Sequence, residues 1–146
     1  MRLVLKSTVK GDYKEVMSRF DRNLFEFLKP KGANMEFEKF TGSKTGDEVH
    51  LKFVSPIKMK WVSHIIDHGT DHQKTYFVDK GVVLPFFLGF WEHHHIIENH
   101  GENCVIVDDM RFKAPIKLLT PLLYPMMLVG FLPRKKAYQE YFGKPV

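Results

Sequence analysis

The segment from Phe90 to Phe112 constrains the fold more than any other part of the chain. It reads Phe90-Trp91-Glu92-His93-His94-His95-Ile96-Ile97, then Asn99-His100-Gly101-Glu102, then Cys104-Val105-Ile106-Val107-Asp108-Asp109-Met110-Arg111-Phe112. Two long alternating runs on either side of a glycine-containing turn predict an antiparallel hairpin. A turn centred on His100-Gly101 sets Trp91 opposite Met110, His93 opposite Asp108, His95 opposite Ile106 and Ile97 opposite Cys104. All eight share one face, because side chains alternate along a strand. That face is apolar except for two histidines and one carboxylate, which is the composition of a pocket wall.

The rest of the chain supplies strands to accompany it. Leu3, Leu5 and Val9 alternate with Arg2, Lys6 and Lys10 in an opening strand that ends at Gly11. Asp12 and Glu15 then have the spacing of a capping box, which starts a short helix over 13–20. Asp21 caps a second over 22–28, stopped by Lys29-Pro30-Lys31-Gly32. Met35, Phe37 and Phe40 mark the second strand, and Val49, Leu51 and Phe53 the third. Met59, Trp61, Ser63 and Ile65 lie on one face of the fourth. A fifth strand covers 73–79, in a register the sequence does not fix. Residues 80–88 are apolar but contain Gly81 and Pro85, and read as a bulged or looped entrance to the sixth strand. Short turns between successive strands predict an antiparallel meander. The longest helix candidate is 122–142, with a break or kink expected from Pro125 and Pro133. Its first half, to Leu132, is apolar on all sides.

Composition narrows the function classes. A chain of 146 residues, 44% hydrophobic with thirteen phenylalanines, is read as one domain over 1–146 with a sizeable core. The net charge of +5 is scattered, with only Arg134-Lys135-Lys136 adjacent, and no nucleic-acid motif accompanies it, so no nucleic-acid partner is expected. Cys104 is the single cysteine and reads as a small buried hydrophobe. The opening apolar run is too short for a signal peptide, and 118–132 is too short for a bilayer span, so a soluble cytoplasmic protein is the expectation. Phosphate loops, nucleophile elbows and paired carboxylates are absent from the sequence, and no cofactor is expected.

The order of elements is that of a helix-grip protein, and several motifs resemble the SRPBCC group of the START-like superfamily. These are Trp61-x-Ser63-x-Ile65, Phe77-Val78-Asp79, Trp91-x-His93-x-His95-x-Ile97 and Asp108-x-Met110-x-Phe112-x-x-Pro115. The group includes birch-pollen-allergen-like and polyketide cyclase-like proteins. A bacterial subgroup of it carries similar Trp-x-His-x-His and Asp-x-Val patterns. Phe86-Phe87-Leu88 and the proline-rich start of the last helix depart from that subgroup. The resemblance implies an α+β fold: a seven-stranded curved antiparallel sheet, with two short helices after strand 1, wrapped around a long C-terminal helix. It also implies an apolar cavity between sheet and helix.

The expected function is therefore non-catalytic binding of a hydrophobic small molecule that is lipid-like, polyketide-like or aromatic. The expected wall comprises Leu51, Phe53, Trp61, Ile65, Phe77, Trp91, Ile106, Met110, Phe112, Met126 and Val129. His93, His95 and Asp108 would hold the ligand's polar end. Two alternatives stand beside it. A cyclase- or dehydratase-like enzyme would use His93 or His95, with Asp108 orienting the imidazole. A membrane- or protein-contact module would use the apolar 118–132 segment and the basic tail. The His93-x-His95 pair also has zinc-site spacing, but Asp108 cannot both pair with His93 and serve a metal, so no metal is expected.

Overall fold

The computed structural model describes all 146 residues. Seven antiparallel strands form one sheet: β1 Arg2–Lys10, β2 Asn34–Phe40, β3 Glu48–Ser55, β4 Met59–Thr70, β5 Lys74–Val83, β6 Phe90–His100 and β7 Asn103–Lys113. Their spatial order is β1-β7-β6-β5-β4-β3-β2, so the first two strands in sequence are the two edges. The chain crosses from one edge to the other through α1 Tyr13–Ser18 and α2 Arg22–Phe27. Each helix starts on an aspartate. Asp12 accepts from the backbone N–H groups of Lys14 and Glu15, and Asp21 from that of Leu24.

The hairpin forms in a register two residues away from the expected one. A two-residue turn at Gly101-Glu102 leaves His100 opposite Asn103, with Gly101 at φ +75°, a conformation that glycine adopts without strain. Trp91 therefore faces Phe112, His93 faces Met110, His95 faces Asp108 and Ile97 faces Ile106. An offset of two keeps every side chain on its predicted face. Strand β5 runs further than expected, to Val83. It slips against β4 between Val62 and Ser63 and again between Ile65 and Asp67. Irregularities of this kind bend a sheet.

The C-terminal segment is two helices rather than one. A short 3-10 turn, Lys117–Leu119, leads into α3 Thr120–Phe131, and α4 Arg134–Phe142 follows. Pro125 is accommodated inside α3. The break falls at Pro133, which has no N–H to donate to the preceding turn. Two buried clusters form beneath these helices. One joins Val16, Phe20 and Leu24 of the α1–α2 region with Ile97, Ile106 and the fully buried Tyr138 of α4. The other joins Leu123 and Met127 of α3 with Trp91, Met110 and Phe112 of the sheet. No helix is long and apolar enough to cross a membrane.

Candidate functional site

Residues of both clusters border a partly open cavity of about 210 Å³. Its wall is drawn from α2 (Phe25), β2 (Met35, Phe37), β3 (Leu51, Phe53), β4 (Trp61, Ser63, Ile65), β5 (Phe77, Asp79), β6 (Trp91, His93, His95) and the α3–α4 junction (Phe131, Arg134). Of the wall residues expected from sequence, Leu51, Phe53, Trp61, Ile65, Phe77, Trp91, His93 and His95 are on this lining.

The other expected wall residues stand elsewhere. Ile106, Met110 and Phe112 are packed in the two clusters, with 1% exposure or less. Asp108 is buried behind the histidines. Met126 and Val129 are 44% and 75% exposed, on the outer side of α3. A helix that is apolar all round offers no periodicity to say which side turns inward. The side that does carries Leu123, Met127 and Phe131.

At and behind the floor, four polar side chains on three adjacent strands form a lattice. In the ladder Asp79 of β5 lies opposite His93 of β6, and His95 of β6 lies opposite Asp108 of β7. The hydrogen bonds run across this grid. His95 Nε2 is 2.6 Å from Asp79 Oδ2, and His93 Nε2 is 2.9 Å from Asp108 Oδ1. The directly opposite pairs are longer, at 3.8 Å for His93 Nδ1 to Asp79 and 3.9 Å for His95 Nδ1 to Asp108. Each imidazole thus turns one nitrogen to each carboxylate.

Aromatic packing fixes the rings. His95 is stacked between Phe77 at 4.2 Å and His93 at 3.7 Å between ring centres. Trp91 and Phe131 meet His93 edge-on, and Trp91 Nε1 donates to Asp79 Oδ1 at 3.1 Å. Beneath Asp108, the Tyr138 hydroxyl donates at 3.4 Å and the Arg134 guanidinium lies 3.6 Å away. That guanidinium also lies over the Phe131 ring, and its buried Nη1 has no hydrogen-bond partner.

Electrostatics follow from this geometry. Burial alone would raise the Asp108 carboxyl. The His93 hydrogen bond and the nearby His93, Arg134 and His95 outweigh it and hold the group at about 2. Asp79 is lowered in the same way, against the burial effect, chiefly by His95. Burial, then the neighbouring His93, pushes His95 down to about 4, so its imidazole is neutral at pH 7. Tyr138 is raised, first by burial and then by the Asp108 charge.

Three of these polar residues, Asp79, Arg134 and Tyr138, were not among the expected site residues. Asp79 was legible in principle, since Phe77 was placed on the wall and a residue two further along a strand shares its face. Arg134 carried no such signal. An arginine opening an amphipathic basic helix reads as a solvated charge.

A seven-stranded antiparallel sheet curved over a C-terminal helix, with two short helices joining its edges, decides the architecture. This is the helix-grip fold. Solved structures of that fold superpose on nearly the whole chain. A hypothetical protein, jhp0584, from Helicobacter pylori gives a TM-score of 0.70 at 14% identity, covering 97% of this chain and 88% of that one. Norcoclaurine synthase from Thalictrum flavum, in complex with dopamine and hydroxybenzaldehyde, gives 0.67 at 10% identity, covering 98% and 84%. Major latex-like protein 151 from Panax ginseng gives 0.66 at 12% identity, covering 97% of both chains. No family model and no curated protein matches the sequence. At these identities the likeness is one of helix-grip architecture, a fold that carries ligand binders and some enzymes.

Proposed function

We propose that this chain binds a small apolar molecule in the cavity between sheet and helices, holds its polar end at the Asp79–His93–His95–Arg134 floor, and does not transform it. The observation that carries this reading is the cavity itself, with an aromatic and aliphatic wall and one polar corner. Its volume of about 210 Å³ is smaller than the roughly 300–1,000 Å³ of drug-sized sites. That size favours a single-ring aromatic or short-chain compound over a long lipid. The helix-grip neighbour co-crystallised with dopamine and hydroxybenzaldehyde holds ligands of that size class. His93 Nε2 and His95 Nε2 are engaged by Asp108 and Asp79, and His95 Nδ1 is buried, which leaves His93 Nδ1 as the ring nitrogen that meets a ligand's polar end.

The chain's two tryptophans, Trp61 and Trp91, both line the cavity, so intrinsic fluorescence reports its occupancy. A titration with hydroxybenzaldehyde, 2-naphthol and octanoate is expected to give a saturable, one-to-one change for at least one of them. Ser63→Leu, which fills the cavity from β4, is expected to weaken that binding at least tenfold. A linear, unsaturable response from all three, or one indifferent to Ser63→Leu, contradicts the reading.

A second reading has its own support. Leu118, Leu122, Met126 and Val129 recur at helical spacing and are 44–89% exposed, beside Lys117 and Lys135. We propose that this stripe rests on an anionic membrane surface. Co-sedimentation with phosphatidylserine vesicles, weakened by salt and lost in Leu122→Ser/Val129→Ser, is the expected result. Equal sedimentation of the double variant contradicts it.

A further inference from the structure

We propose that Asp79, His93 and His95 form a binding site for one divalent transition-metal ion at the floor of the cavity. The donors are Asp79 Oδ2, His93 Nδ1 and His95 Nε2, which all lie within 4.8 Å of one another. Two imidazoles and one carboxylate suit zinc, cobalt or ferrous iron, and suit magnesium or calcium poorly. This inference goes beyond the small-molecule reading and does not rest on it.

Three independent features support the site. The first lies behind the donors. A metal-bound imidazole ordinarily gives its other N–H to a carboxylate, which fixes the tautomer. Here Asp108 takes that place for His93, bonded to its Nε2 at 2.9 Å, and lies 3.9 Å from His95 Nδ1, beyond hydrogen-bond distance. His95 Nδ1 is otherwise a buried nitrogen without a partner. Trp91 similarly orients Asp79 through its other oxygen.

The second feature is charge. Two buried carboxylates, Asp79 and Asp108, flank the imidazoles, and the Arg134 guanidinium approaches Asp108 at 3.6 Å. Asp79 has no lysine or arginine within 4.0 Å, and a carboxylate placed so is costly without a counter-charge, which a cation on its side supplies. The Asp108 side cannot be that place, because Oδ1 is already engaged by His93 and Tyr138 and approached by Arg134.

The third feature is access. Asp79, His93 and His95 all line the cavity, so an ion held by these three groups keeps its remaining positions open to a bound molecule. Bonds of about 2.1 Å place donors about 3.4 Å apart around a tetrahedral ion. The observed separations from Asp79 Oδ2 are 2.6 Å to His95 and 3.8 Å to His93, which bracket that spacing. Insertion requires the Asp79 carboxylate to back away from His95 and the stacked rings to fan beyond their present 27°.

The test uses the full chain, stripped with a chelator and titrated with Co²⁺ alone. One Co²⁺ per chain is expected, with visible ligand-field bands that stoichiometric Zn²⁺ removes. X-ray absorption at the cobalt edge of the wild-type protein is expected to show imidazole ligation, which requires no variant to fold. Asp79→Asn and His95→Ala are each expected to weaken binding at least 100-fold. His50→Ala/His64→Ala, which dismantles the surface cluster on Glu48, is expected to leave it unchanged. Absence of saturable one-to-one binding by the wild-type chain overturns the proposal. So does binding that survives Asp79→Asn and disappears in the surface double variant.

Discussion

His93 reaches Asp108 diagonally: the residue opposite it in the β6–β7 ladder is Met110, yet its Nε2 lies 2.9 Å from the Asp108 carboxylate. His95 makes the corresponding diagonal to Asp79 on the other side. The crossed pair ties β5, β6 and β7 together on their buried face. Both carboxylates need these donors, because an ionised group without partners is not tolerated at such depth.

His93→Ala is therefore expected to destabilise the chain whether or not anything binds in the cavity. Removing one partner of a buried ion pair typically costs about 3–5 kcal/mol. For a chain of this size that is a fall in Tm of roughly 10 °C, measurable by circular dichroism. An unchanged Tm would mean that Asp108 does not depend on His93.

The two sides of α3 are expected to respond differently to substitution. Met127 is 5% exposed and packs against the sheet, so Met127→Ala is expected to cost about 2–5 kcal/mol in chemical denaturation. Val129 stands in solvent, and Val129→Ser is expected to stay within about 0.5 kcal/mol of wild type. Equal losses at both positions would require α3 to be rotated about its axis.

Cys104 supplies a pH-dependent prediction well away from the polar floor. Burial, then the charge of Asp12, pushes its thiol up from its ordinary value to about 11. The unfolded chain releases this proton first as pH rises, so alkali favours unfolding between about pH 9 and 11. Two pKa units correspond to roughly 3 kcal/mol at most. Wild type is expected to lose stability across that window relative to Cys104→Ala, with a native thiol inert to disulfide reagents at pH 8. Parallel stability curves, or rapid labelling of the native protein, would count against it.

Much of the fold could be read from local pattern. The aspartate caps at Asp12 and Asp21, the alternation in β1, β3 and β4, and the inner face of the β6–β7 hairpin all rest on interactions within a few residues or on strand parity. Parity also explains why a two-residue error in the hairpin register cost nothing in face assignment. What depended on distant contacts was less visible. The β5 register is set by slips against β4, although strand parity with Phe77 was enough to place Asp79 on the inner face. The inward side of α3 is chosen by Trp91, Met110 and Phe112 beneath it rather than by its own sequence. Arg134 reaches the cavity only because the break at Pro133 redirects the chain.

The most direct test of the central claim is native mass spectrometry of the freshly purified protein, repeated after denaturation. The account predicts an excess mass that disappears on denaturing and fragments as a small apolar compound. It also predicts that Ser63→Leu, prepared in the same way, carries less of that mass. A wild-type mass equal to the bare chain, unchanged when the candidate compounds are added back, would contradict a ligand-binding cavity.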